Sequence, residues 1–189
     1  MLQIREQSLE VARSLAGLGL SKGDVVSVLL PNCLEYPAIV LGSLYLGLTV
    51  SPANPAYTPH EVSRQLMASE ARLIFGHSTQ IEKIKQTLEI MGEEAKCMKA
   101  LIVGEKTDSC HGFIHWDDFL SMSSGQVPDQ AKIDVKKDVA VLPFSSGTTG
   151  IPKEGFESVN SSTHLIITCS GGRLVPAQPG GGESHPRHQ

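Results

Sequence analysis

The residues with the strongest claim to chemistry are Ser145-Ser146-Gly147-Thr148-Thr149-Gly150-Ile151-Pro152-Lys153. Glycines permit positive φ angles and close backbone approach, so Gly147 and Gly150 suit a nest whose N–H groups surround phosphate oxygens. Ser145, Ser146, Thr148 and Thr149 add hydroxyl donors, and Lys153 adds a point charge for the outer phosphates. Charge-assisted bonds are worth about 1.5–3 kcal/mol each, so several together suffice to hold a triphosphate. A Ser/Thr/Gly stretch is more commonly a flexible linker. Here it sits directly on the apolar run Val139-Ala140-Val141-Leu142-Pro143-Phe144 and closes with Ile-Pro-Lys, which favours the phosphate reading. Neither a Walker A pattern nor a Gly-x-Gly-x-x-Gly fingerprint after a strand occurs.

Such a loop needs a scaffold, and the chain upstream supplies one. Apolar residues at helical spacing, Ile4, Val11, Ala12, Leu15 and Leu18, predict an amphipathic helix stopped by Gly17 and Gly19. Lys22-Gly23-Asp24 makes a turn, in which Asp24 is read as a turn former rather than a catalytic carboxylate. Val25 to Leu30 reads as a buried strand closed by Pro31-Asn32, and Leu34 to Leu48 as a largely apolar helix. A short strand at Thr49 to Ser51 leads into a loop held extended by Pro52 and Pro55. Thr58-Pro59-His60-Glu61 then has the form of a capping box with proline at the first helical position. Strands at Arg72 to Phe75 and Lys99 to Val103, a helix over Thr79 to Met91, one helical turn at Trp116 to Leu120 and a strand at Val139 to Phe144 complete the series. The alternation predicts an α/β fold with a mainly parallel sheet flanked by helices.

Composition bounds the rest. With 189 residues and 40% hydrophobic content the chain can bury a core, and a net charge of −4 with no basic–aromatic patch argues against a nucleic-acid partner. Cys33, Cys97, Cys110 and Cys169 lack Cys-x-x-Cys spacing and read as reduced structural thiols. The histidines, His60, His77, His111, His115, His164, His185 and His188, form no i, i+4 pair, so no metal site is expected. They read as surface residues. Asp117-Asp118 reads as an exposed helix start. The first ten residues lack the apolar core of an export signal, and the apolar run Tyr36 to Val50 is too short to span a bilayer. Asn160-Ser161-Ser162 matches a glycosylation acceptor to which no meaning is attached without such a signal. A soluble, cytoplasmic chain is expected, and Arg187-His188-Gln189 is not a peroxisomal address of the Ser-Lys-Leu type. Beyond Lys153 the chain becomes rich in Gly, Ser and Pro, with only Leu165 to Thr168 of strand character, and reads as a mostly disordered tail.

The segment Ser145 to Lys153 resembles the signature phosphate loop of the adenylate-forming enzymes, which include 4-coumarate–CoA ligases, fatty acyl-CoA synthetases and luciferases. Lys22-Gly23-Asp24-Val25-Val26 through Leu29-Leu30-Pro31-Asn32, and Ala53-Asn54-Pro55-Ala56-Tyr57-Thr58, are similar in kind, order and spacing. The wording of the second stretch is closest to the 4-coumarate–CoA ligase and luciferase branch. The resemblance covers about Ile4 to Lys153 and implies a partial AMP-binding domain over 1–153, followed by an unrelated tail over 154–189.

It further implies ATP and Mg2+ as cofactors and a small-molecule carboxylate and CoA as partners. The reaction would pass through an acyl-adenylate with loss of pyrophosphate, then through thioester formation with loss of AMP. Only Ser145, Ser146, Gly147, Thr148, Thr149, Gly150 and Lys153 are carried over as ATP-binding positions, and no catalytic residue is assigned. Where the family continues with glycine, an apolar stretch and usually a histidine, this chain reads Glu154-Gly155-Phe156-Glu157-Ser158. The adenine-binding aromatic, the ribose-binding aspartate and the catalytic lysine have no counterpart in it. The expectation is an N-terminal fragment of an acyl-CoA ligase, inactive alone, with an incomplete sheet. The alternatives are a non-catalytic ATP- or pyrophosphate-binding module and a non-functional truncated product; full-length relatives are found in cytosol or peroxisomes.

Overall fold

A computed structural model describes residues 2–106, 112–122 and 126–144, together with the backbone of 167–168. Its helices are α1 (Leu2–Gly17), α2 (Glu35–Tyr45), α3 (Pro59–Ala68), α4 (Ile81–Met91) and α5 (Trp116–Ser121). The strands are β1 (Val25–Leu29), β2 (Thr49–Pro52), β3 (Ala71–His77), β4 (Lys99–Val103), β5 (Ile114–His115), β6 (Val139–Val141) and β7 (Ile167–Thr168). They form one sheet in the order β5-β4-β3-β1-β2-β6-β7. Every pairing is parallel except the last, β6 with β7. The α/β class and the mainly parallel sheet therefore stand as expected.

The sheet is covered on both faces near its middle, which explains why its strands are apolar throughout rather than alternating. Val26, Val28, Leu73, Phe75, Leu101 and Val103 point to one face, where they meet Val11, Ala12 and Leu15 of α1, Ala38 and Ile39 of α2 and Trp116 and Phe119 of α5. Leu29, Ile74 and Ile102 point to the other, against Val62 and Leu66 of α3 and Ile81, Ile84 and Met91 of α4. The period of two along a strand thus divides one run of apolar residues between two cores. Phe75 and Phe119 meet edge to face with ring centroids 6.0 Å apart, and Trp116 lies 5.8 Å from Phe119. This geometry adds quadrupole attraction to the area buried.

Local signals mostly match their elements. Thr58 Oγ1 accepts from Glu61 N at 3.3 Å while Glu61 Oε2 accepts from Thr58 N at 2.7 Å, so the capping box is complete. Glu61 is held below the usual carboxylate range, first by that backbone N–H and then by the Thr58 hydroxyl. Other boundaries move for identifiable reasons. Helix α2 starts after Leu34, which caps it 90% exposed, and ends at Tyr45. The expected helix from Thr79 opens as a 3-10 turn over Ser78–Gln80 before α4 begins at Ile81. Strand β6 stops at Val141 rather than Phe144; Pro143 has no N–H to give to a ladder. The tail's strand-like stretch contributes Ile167–Thr168, antiparallel to β6.

Candidate phosphate-binding site at the sheet's carboxyl edge

In parallel α/β sheets ligands bind beyond the carboxyl ends of the strands, where successive connections leave to opposite faces. Strand β1 and its neighbours meet that condition. The connection from β1 to β2 runs through α2 on the face shared with α1 and α5, whereas those from β2 and β3 run through α3 and α4 on the other. The crest at this switch point consists of the turns after β1 and β2 and of Leu142 to Phe144 after β6. Ser145, Ser146, Gly147, Thr148, Thr149, Gly150 and Lys153 lie outside the described residues. What is described is the strand that delivers them and the ground it stands on.

Strand β6 enters beside β2. Val50 and Val141 are register partners, and Leu142 N donates to Val50 O at 2.8 Å. The turn after β2 is firmly built, since Asn54 Oδ1 accepts from Ala56 N at 2.9 Å and Tyr57 N donates to Asn54 O at 2.9 Å. From α3, Gln65 Nε2 reaches Ser51 Oγ and Pro52 O, each at 3.0 Å. From the start of α4, Gln80 Nε2 and Lys83 Nζ both donate to Pro55 O. The Ala53 to Thr58 motif therefore works as a braced shoulder beside the strand that leads to the loop.

The Lys22-Gly23-Asp24 motif sits at the opposite, amino end of the strands. Asp24 Oδ2 accepts from Ser21 N at 2.8 Å and from Arg72 Nη1 at 2.8 Å, a turn role as its sequence context implied. Partial burial by itself pushes its carboxyl up, but the Ser21 N–H and then Arg72 outweigh this and hold it below the usual range. Lys22 Nζ donates to Lys132 O at 2.7 Å and pairs with Asp138 at 2.6 Å, fastening the chain just before β6. Lys22, and then the Asp134 N–H, lower the carboxyl of Asp138.

His115 is buried, against the expectation that the histidines lie at the surface. Its Nε2 donates to Gly104 O at 2.9 Å and its Nδ1 accepts from Asp117 N at 3.3 Å, so it caps α5. Its place directly before Trp116-Asp117-Asp118 was the available signal, since a side chain preceding an acidic first turn is where a cap falls. Cys33, after β1, is half-buried, and burial raises its thiol pKa. Cys110, Cys169, His111, His164, His185 and His188 lie outside the described residues. Among the described residues no group of three His, Cys, Asp or Glu could hold a metal ion. Also among them, no helix is long and apolar enough to cross a membrane.

The described sheet and helices have the architecture of the N-terminal domain of adenylate-forming enzymes. They superpose on a long-chain fatty-acid–CoA ligase from Archaeoglobus fulgidus with a TM-score of 0.67 and 28% identity, covering 88% of this chain and 29% of that one. A red-emitting luciferase from Phrixothrix hirtus gives 0.69 at 24% identity, over 87% of this chain and 38% of that chain. Residues 2–175 match the family described as AMP-binding enzyme, and the chain belongs to that family. Relatives include 4-coumarate–CoA ligase 2 of Solanum tuberosum, 34% identical over 151 residues, which are 80% of this chain and 26% of the relative. 4-Coumarate–CoA ligase 3 of Oryza sativa subsp. japonica is 37% identical over 152 residues, 80% of this chain and 25% of the relative. The chain thus spans about a quarter of the length of these curated relatives.

Proposed function

We propose that this chain carries the phosphate-binding portion of an ATP-dependent acyl-CoA ligase, with Ser145, Ser146, Gly147, Thr148, Thr149, Gly150 and Lys153 as its ATP-contacting residues. The observation that carries the reading is that β6, parallel to β2, ends at the carboxyl edge of the sheet with only Leu142 to Phe144 before Ser145, in a chain 34% identical over 151 residues to a 4-coumarate–CoA ligase. In the reaction so assigned, a carboxylate oxygen bonds to the α-phosphorus of ATP and pyrophosphate leaves. The sulfur of CoA then bonds to the acyl carbon, its proton is lost and AMP leaves. The loop's part is to neutralise and orient the departing phosphates, which is most of what phosphoryl chemistry asks of a protein. Mg2+, when bound with ATP, supplies further charge neutralisation. The domain so defined runs over 1–153, with 154–189 as a tail of which Ile167–Thr168 pairs with β6.

The chain on its own binds the phosphate end of ATP and does not complete the reaction, because groups for adenine, ribose and acid activation have no counterpart in its sequence. ATP–pyrophosphate exchange with aromatic and fatty carboxylates tests this, and brisk exchange by the purified 189-residue chain would refute the claim of inactivity. Calorimetry with pyrophosphate tests the loop. Lys153→Ala should weaken binding about tenfold or more, as befits one charge-assisted contact. Equal heats for the two proteins would remove Lys153 from the site.

A further inference from the structure

We propose that Thr49 is a positioning residue for the phosphate loop, a side-chain latch that fixes the register of β6 and thereby the place at which Ser145 to Lys153 begins. The inference rests on the reading of that segment as the loop.

Strand β6 is held on one side by a single register pair with β2 and by the Lys22 contacts just before it, and on the other by a short antiparallel pairing with β7. It is three residues long, and none of its residues belongs to either apolar core. Its residues are only half-buried. Register is strongly specified only where one face is well buried, so burial leaves β6 weakly indexed against β2. Polar contacts supply the index. Thr49 is buried, and its Oγ1 donates to Val139 O at 2.8 Å across 90 positions of sequence. Its backbone N–H is already committed in the other direction, to Asp24 O at 2.9 Å, so the hydroxyl is what it has to offer β6.

Thr49 stands on firm ground, because Gln65 holds the far end of the same strand through Ser51 and Pro52. A slip of β6 by one residue would carry the loop roughly 3.3 Å along the strand axis. A displacement of about 1 Å is already enough to cost a reacting site dearly.

The test uses the full chain as wild type, Thr49→Val and Thr49→Ser. Valine keeps the shape and removes the donor; serine keeps the donor. Hydrogen exchange at the Leu142 amide reads the register directly, since that N–H is bonded to Val50 O. Thr49→Val should speed its exchange about fivefold, the worth of one hydrogen bond, while Ala53 N–H, bonded to Val28 O, keeps its wild-type rate. Thr49→Ser should restore the slow rate. Pyrophosphate affinity by calorimetry should follow the same order, falling about fivefold in Thr49→Val and recovering in Thr49→Ser.

Unchanged protection of Leu142 in Thr49→Val overturns the latch whatever the calorimetry shows. Faster exchange with undiminished pyrophosphate binding overturns its link to the loop. Absence of any pyrophosphate heat in the wild type refutes instead the reading of Ser145 to Lys153 on which the inference stands.

Discussion

Gly42→Ala puts two opposed effects on one residue, and the structure decides between them. Within α2, alanine is the better helix former by about 0.8–1.0 kcal/mol, which alone would stabilise the protein. A Cβ at this position, however, would stand 2.5 Å from Ser8 O and 2.8 Å from both Cβ and Cγ1 of Val11. Ser8 O is backbone, so no rotamer change relieves that contact. The helices α1 and α2 must part by about an ångström, loosening Val11, Ala38 and Ile39 where they pack. Overpacking of this kind costs about 1–3 kcal/mol. Placing a backbone collision in the upper half of that range and subtracting the propensity gain leaves a net loss of about 1–2 kcal/mol. For a chain of this size that lowers the melting temperature by about 2–8 °C. Gly17→Ala, at the exposed end of α1 with nothing within 4 Å of the added carbon, lacks the collision and should be neutral or stabilising. Urea unfolding followed by circular dichroism compares the two. A Gly42→Ala protein as stable as wild type would refute the close packing of α1 on α2.

Phe119→Ala should destabilise by about 3–5 kcal/mol, as loss of a fully buried aromatic does; the fluorescence of Trp116, the chain's single tryptophan, should shift to the red as its neighbour is lost. Asp24→Asn removes a carboxylate whose folded pKa is depressed, so its stabilising contribution is present above the unfolded value of about 3.9 and is lost as pH falls through the folded value. The variant should therefore be less stable near pH 7, by only about 0.5–1 kcal/mol because Arg72 is more than half exposed, and should converge on wild type in urea melts as pH falls through the depressed folded value. Thr58→Ala breaks the capping box and should cost about 1 kcal/mol in the same melts, whereas Thr58→Ser should cost far less.

What could be read from the sequence was what local physics dictates. The Thr58 to Glu61 box forms because its contacts span three residues, and β1 was visible because Val25 to Leu29 carries one continuous apolar, β-branched run. The two-residue β5 was invisible, since Ile114–His115 has no periodicity to detect and owes its conformation to pairing with Leu101 and Ile102. The burial of His115 likewise depends on Gly104, eleven positions away. Strand order was beyond reach for the same reason: β3 lies beside β1 rather than β2 because a crossover carries the chain to the other face. As for the site, the loop's residue types were legible. The contacts that place it, Thr49 with Val139 and Lys22 with Asp138, join segments 90 or more positions apart and leave no local trace.

These long-range contacts bear on how stability and site formation are related. Both apolar cores are centred on β1, β3 and β4 and on the helices that cover them, and each closes without a residue of β6. Among the described residues, apolar burial is therefore concentrated on β1, β3 and β4 and their covering helices rather than on β6. Strand β6 adds to it a register pair with β2, a short antiparallel pairing with β7, the Leu142 and Thr49 hydrogen bonds and an ion pair at Asp138 that is partly exposed to solvent and so weak. Segments so attached open locally at far lower cost than the whole molecule unfolds. It follows that a folded chain, by circular dichroism or by melting, is not evidence for a formed phosphate site. The measurements that report on the site are those made on β6 itself or on its ligand.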